Sequence, residues 1–175
     1  MNTPRTTGHR VARTWSARIL AALMVLAGCL AVVAAPASAG EPWCEYPDGS
    51  NACLRLDYRG FSYWKAIAGV DVHLPQRYAQ EIVECGDSAF QATLFGDDGE
   101  EVTFIRNLNL DPGWPVSGPA GLSAELSADY IHDSELDEDK GDVDEIFAVI
   151  SYHDCHIPWS RFEFRTGTIR GEFRG

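Results

Sequence analysis

The sequence contains no uninterrupted apolar run long enough to cross a bilayer. Its longest apolar stretch, Ile19 to Ala35, has 17 residues, short of the ~20 that the hydrocarbon core demands. Lysine is scarce: Lys65 and Lys140 stand against 12 arginines, a ratio that fits a GC-rich bacterial genome. Gly-x-Ser-x-Gly is missing, which excludes a nucleophile elbow. There is no His-Glu-x-x-His, no phosphate-cradling glycine loop and no dinucleotide fingerprint. No two cysteines stand in Cys-x-x-Cys spacing, which argues against a structural zinc centre. A hydrolase built on paired carboxylates stays open, because spatial separation sets such pairs and local sequence does not.

What is present begins with an address. Arg5, Arg10, Arg13 and Arg18, without a single acid, precede the apolar stretch, which ends in Ala37-Ser38-Ala39. That order is the layout of a cleaved export signal. The expectation is removal of residues 1–39 and a single secreted β domain over 40–175. Leu26-Ala27-Gly28-Cys29 resembles the lipobox of bacterial lipoproteins, so lipid anchoring at Cys29 is the alternative. Leu30 to Ala35 stays apolar beyond that cysteine, however, where a lipoprotein usually turns polar. Loss of the segment leaves 10 basic residues against 26 acidic ones, a net charge of −16. Such a charge disfavours binding to nucleic acid or to anionic membranes.

Four cysteines remain, an even count that reads as two disulfides in an exported chain. Cys44 and Cys53 flank the turn signal Pro47-Asp48-Gly49 and are paired locally, leaving Cys85 for Cys155. On the chain-entropy model the short ring contributes about 2.7 kcal/mol and the ~70-residue ring roughly 4. His153-Asp154-Cys155-His156 invites a zinc reading. If residues 146–155 form one strand, His156 points away from His153 and Cys155, and the disulfide is preferred.

Period-two alternation recurs along the chain. It marks Leu54 to Tyr58, Val70 to Leu74, Gln91 to Phe95, Val102 to Arg106, Leu122 to Tyr130 and Phe162 to Arg165, while Ile146 to Tyr152 is apolar on both faces, as a central strand would be. The Asp98-Gly99 step suits a hairpin turn. A single helix is expected after Pro75, with Tyr78 and Ile82, and Ala79 and Val83, one turn apart, and Gly86 ending it. The fold expected is mostly β: an antiparallel β-sandwich of about seven strands with one short helix and two disulfides. The connection Asp111 to Gly121 carries three prolines and Trp114. That residue is read as a lid on the core, with ligand contact as the alternative.

Between Asp129 and Glu145 lie nine acids and one counter-charge, Lys140. A plain solvated loop is one reading; calcium, which takes six to eight oxygens in irregular geometry, is the other. An EF-hand is excluded, since placing Gly141 sixth puts Leu136 first, where an acid belongs. Asp137-Glu138-Asp139, then Asp144, then Ile146 opening a strand resembles a calcium-binding loop of C2-type β-sandwich domains. That resemblance is confined to residues 137–146, and it implies Asp137, Asp139 and Asp144 as calcium ligands. Asp97 and Asp98 would supply a second loop.

His73, His132, His153 and His156 are general-base candidates in an extracellular hydrolase, although His132-Asp133 and His153-Asp154 are neighbours whose side chains diverge on a strand. Arg161, Arg165, Arg170 and Arg174 either form an interaction face with Phe162, Phe164 and Phe173 or pair with the acidic segment. The function expected is a binding or structural module, calcium-stabilised, whose partner is an extracellular protein or a cell-wall component. A secreted protease inhibitor presenting Asp111 to Gly121 is a further alternative.

Overall fold

The computed structural model describes residues 42–46, 49–97, 99, 101–137, 143–157 and 159–173. The export signal, Cys29, Asp98, Asp139, Lys140 and Arg174 lie outside the described residues. Seven long strands carry the alternating segments: β2 (Asn51–Gly60), β3 (Tyr63–Val72), β4 (Phe90–Asp97), β5 (Val102–Leu110), β7 (Gly121–His132), β8 (Asp144–Tyr152) and β9 (Phe162–Arg165). Three strands of three residues each complete the set: β1 (Trp43–Glu45), β6 (Val116–Gly118) and β10 (Ile169–Gly171). All pairings are antiparallel, in the order β1-β2-β3-β7-β5-β4-β8-β10, with β6 on β7 and β9 on β8.

The two halves of this path share β5. It pairs with β4 along its first part, then with β7 through Asn109 and Leu110. The sheet curls until its outer edges meet: a Cβ on Gly167 would lie 3.0 Å from the Trp43 carbonyl carbon. The result is a nearly closed barrel. Inward residues follow the period of two, with Ala52, Leu54 and Leu56 on β2 beside Ala66, Ala68 and Val70 on β3, all buried. Each fully buried leucine of this set contributes about 1.5–3 kcal/mol.

The expected helix, α1 (Gln76–Glu84), starts one residue after Pro75 and buries Ala79 and Ile82. Gly86 follows with φ of 78°, and its N–H bonds Val83 O at 3.1 Å. The helix lies where β3 and β8 end and β4 and β7 begin. The opposite end is closed by an element that the sequence did not announce, α2 (Asp133–Leu136). His132 caps it: its Nδ1 accepts the Ser134 N–H at 3.2 Å, while its own N–H donates to Glu135 Oε1 at 3.0 Å. Leu136 and Ile131 are buried there, and Trp64 stands edge-on to Phe173 at 5.3 Å. No described helix is long and apolar enough to cross a membrane.

Both disulfides are present, Cys44–Cys53 and Cys85–Cys155. The first ties β1 to β2 across a direct pair, and the second ties the end of α1 to the segment after β8. Three C-terminal arginines pair with acids: Arg161 with Glu163 at 2.7 Å, Arg165 with Asp97 at 2.7 Å, and Arg170 with Glu145 at 2.8 Å. Arg165 also lies 3.7 Å over the Phe147 ring, while Phe162 and Phe164 stack on Tyr152.

Candidate functional site: the aromatic end of the barrel

Four exposed aromatic rings gather where β2 turns into β3 and β7 ends. The turn has two residues, Phe61 and Ser62, between the pair Gly60 and Tyr63. Their φ angles are 54° and 63°, so both central residues adopt the left-handed conformation of a type I′ turn. Asn-Gly would be the ordinary choice there, and a left-handed non-glycine residue costs on the order of 1–2 kcal/mol. The result is a phenylalanine displayed 94% exposed at the tip. Tyr58 steadies the turn from below, its hydroxyl accepting the Ser62 N–H at 3.3 Å and its ring lying 5.0 Å from Trp64.

The neighbouring strand contributes through a bulge. Trp64 pairs with Ile131 but Ala66 pairs with Ala128, so Lys65 alone faces two residues, Asp129 and Tyr130. Bulges of this kind re-aim side chains. Tyr130 takes a φ of 59° and stands 75% exposed. Its ring meets Tyr63 edge-on at 6.1 Å, and Tyr63 meets His132 at 5.3 Å. Backbone strain held at exposed aromatics is the kind of outlier that accompanies functional surfaces.

Among the described residues, three ion pairs lie around this end. Arg59 lies 3.7 Å from Asp57, Lys65 lies 3.9 Å from Asp129, and Arg106 holds Glu135 at 2.6 Å. Beneath them the Trp64 indole N–H donates to Oδ1 of the buried Asp133 at 2.5 Å. His132 Nδ1 therefore serves the α2 cap and Asp133 Oδ1 serves Trp64, so these two atoms are not joined as a catalytic pair.

Asp137 follows α2, half-buried; Asp144 opens β8 and is buried. Asp97, offered for a second calcium loop, is engaged instead. The guanidinium of Arg165, then the Gly99 N–H, hold its carboxyl below the usual carboxylate range. Trp114 is half-buried and outside the core cluster. Its loop is shortened by β6, which pairs back onto β7.

The zinc argument from strand alternation fails on its premise. β8 ends at Tyr152, and residues 154–157 turn, so Asp154 and His156 converge with the disulfide. Cys85, Asp154, Cys155 and His156 bring their ligand atoms within 4.8 Å of one another, which no other trio of such residues does among the described residues. Beside them a cavity of about 590 Å³ is lined by Tyr152, His153, Asp154, Trp159 and Arg161. Trp159 is fully exposed, with a φ of 72°.

Burial pushes the Tyr152 hydroxyl up to about 12, with Tyr78 and the Asp154 charge adding to the effect. The neutral hydroxyl is thus favoured in the folded state over an unfolded value near 10. Its contribution to stability is complete below pH ~10 and is lost as the pH climbs toward 12. Ultraviolet titration of tyrosinate is expected to show a late step that disappears in Tyr152→Phe; ionisation of all tyrosines together near pH ~10 would contradict this.

No family model, curated protein or solved structure matches this chain.

Proposed function

We propose that the chain is an exported, non-catalytic binding module that holds an uncharged glycan of the cell wall on its aromatic end. The observation that carries this reading is the set Tyr58, Phe61, Tyr63 and Tyr130, exposed together and set partly on left-handed backbone. Clustered exposed apolar surface marks interaction sites, and tyrosine combines an apolar ring with a hydrogen-bonding tip. The protein is strongly acidic, yet three ion pairs offset charge among the described residues around these rings. That favours a neutral, hydroxyl-rich ligand over a charged one. Two disulfides are compatible with the oxidising compartment that the amino-terminal signal implies.

Phe61→Gly separates binding from folding. The substitution relieves a left-handed phenylalanine, so the melting temperature is expected to hold or rise. Affinity for purified, insoluble cell-wall polysaccharide is expected to fall about tenfold, as for loss of an exposed aromatic anchor. Tyr130→Ala acts in the same direction. Wild-type protein that fails to sediment with the polysaccharide, or a Phe61→Gly variant that binds as wild type, contradicts the reading.

Calcium at Asp137, Asp139 and Asp144 is a second element of the proposal. It is favoured by two buried oxygens, Asp133 Oδ2 and Asp137 Oδ1, that accept no hydrogen bond from the described residues. A divalent ion beside them would offset the cost of burying charge. Extracellular calcium modules work at Kd of about 10⁻⁴ to 10⁻³ M. At 10 mM calcium the expected stabilisation is about 1.4–2.7 kcal/mol, visible as a rise of several degrees in melting temperature. Coincident melting curves in calcium and in chelator would remove this element.

A further inference from the structure

We propose that Cys85, Asp154, Cys155 and His156 form a second, redox-gated site: a disulfide when oxidised, and a zinc centre when the Cys85–Cys155 bond is reduced. It is independent of the glycan reading, since it lies at the α1 end of the barrel, opposite the aromatic rings. The donor set is two sulfurs, one imidazole and one carboxylate, a combination that suits a borderline-soft tetrahedral ion and not calcium. The Cα atoms of the cysteines are 5.7 Å apart. Two thiolates on one zinc, each at ~2.3 Å, sit about 3.8 Å from each other. Side-chain rotation suffices to open the sulfurs by that amount, with all four ligand atoms already within 4.8 Å.

The backbone around the site is held by bonds that do not depend on the disulfide. His153 N–H donates to Ala89 O at 3.0 Å, Asp154 N–H to Ser160 Oγ at 3.0 Å, and Ile157 N–H to Asp154 O at 3.1 Å. The carboxylate is oriented as a ligand would need: Asp154 Oδ1 accepts the His156 N–H at 2.8 Å, and the Tyr78 side chain from α1 hydrogen-bonds the same carboxyl group. Such outer partners fix ligand geometry and raise affinity. The Cys155 N–H points at Cys85 Sγ from 3.1 Å, a contact that favours a thiolate at that sulfur. Cys155 and His156 are exposed, so reductant and metal can enter.

The chemistry balances with a dithiol reductant as co-reactant. The dithiol supplies two electrons and two protons and leaves as its own disulfide; the Cys85–Cys155 bond breaks and two thiols form. Zinc then displaces both thiol protons and bonds the two sulfurs, the Asp154 carboxylate and the neutral His156 ring. The metal replaces the covalent tie between α1 and the segment after β8.

Cobalt(II) serves as the probe, added to the purified protein before and after reduction with a phosphine. The reduced protein is expected to bind one equivalent, with thiolate-to-cobalt charge transfer and tetrahedral d–d bands, reversed by zinc; the oxidised protein is expected to show neither. His156→Ala, a surface change, should weaken cobalt binding at least about tenfold. Reduction also opens Cys44–Cys53, so Cys44→Ser/Cys53→Ser must keep the signature and Cys85→Ser/Cys155→Ser must lose it. Reduced protein that binds no cobalt, binding undiminished by His156→Ala, or a signature surviving in Cys85→Ser/Cys155→Ser overturns the proposal.

Discussion

Replacing Cys85 and Cys155 together by serine is expected to lower stability by about 4 kcal/mol, against about 2.7 kcal/mol for the Cys44–Cys53 pair. The difference comes from chain entropy. The two bridges close segments with sequence separations of 70 and 9, and the longer ring removes more freedom from the unfolded chain. The long ring encloses β4, β5, β6, β7, α2 and β8, and its first cysteine directly follows α1, so it anchors the helix that closes one end of the barrel. Denaturant titration of both double variants under oxidising conditions measures the two costs, and the larger corresponds to a fall in melting temperature of about 15 °C. Equal losses, or a larger loss for the short ring, would mean that unfolded-state entropy is not what the bridges act on.

Gly121→Ala is expected to be comparably damaging. Gly121 opens β7 with a φ of 128°, and a Cβ there would fall 2.1 Å from Val72 O and 2.8 Å from Leu74 N. Both obstacles are backbone, the first at the end of β3 and the second just beyond it; β3 is the strand with which β7 forms its longest ladder, so relief requires the two strands to separate. Overpacking costs typically about 1–3 kcal/mol even where side chains can move aside; here none can, and a loss of at least about 3 kcal/mol is expected. Gly60→Ala provides the contrast. Its φ is 88° with nothing within 4 Å, so only the conformational cost of about 1 kcal/mol applies. Similar losses in the two variants would place the strain in local backbone preference and not in the contact between β3 and β7.

The antiparallel architecture was legible because strands such as β2 and β4 bury one face and leave the other toward water, which writes a period of two into the sequence, while β8, buried on both faces, reads as an apolar run. Both disulfides were legible from cysteine parity and the turn between Cys44 and Cys53. The three short strands were not, since three residues carry too little periodicity. The start of β3 was also missed: Tyr63-Trp64-Lys65-Ala66-Ile67-Ala68 places apolar residues on both faces, and alternation became readable only near Val70. α2 escaped because its cap is a histidine, where serine, threonine or aspartate would have signalled a helix start.

The aromatic end illustrates a different limit. Tyr58, Phe61, Tyr63 and Tyr130 are separated by up to 72 positions in sequence, and a bulge turns the last of them outward. Neither a bulge nor a left-handed Phe-Ser turn has a local sequence signature. The crowding of aromatics on both sides of Gly60 was the one available hint. At the other end, the strand argument that set His156 apart from Cys155 assumed that β8 continues through the cysteine. The chain turns after Tyr152 instead, and the side chains meet.

The central claim is that ligand contact is confined to the aromatic end. Amide hydrogen exchange of the wild-type protein, free and loaded with cell-wall polysaccharide, tests it most directly. Slowed exchange is expected at residues 58–65 and 128–134, with residues 153–165 unchanged. Protection that falls on 153–165 alone, or on neither segment despite saturation with polysaccharide, would contradict the account.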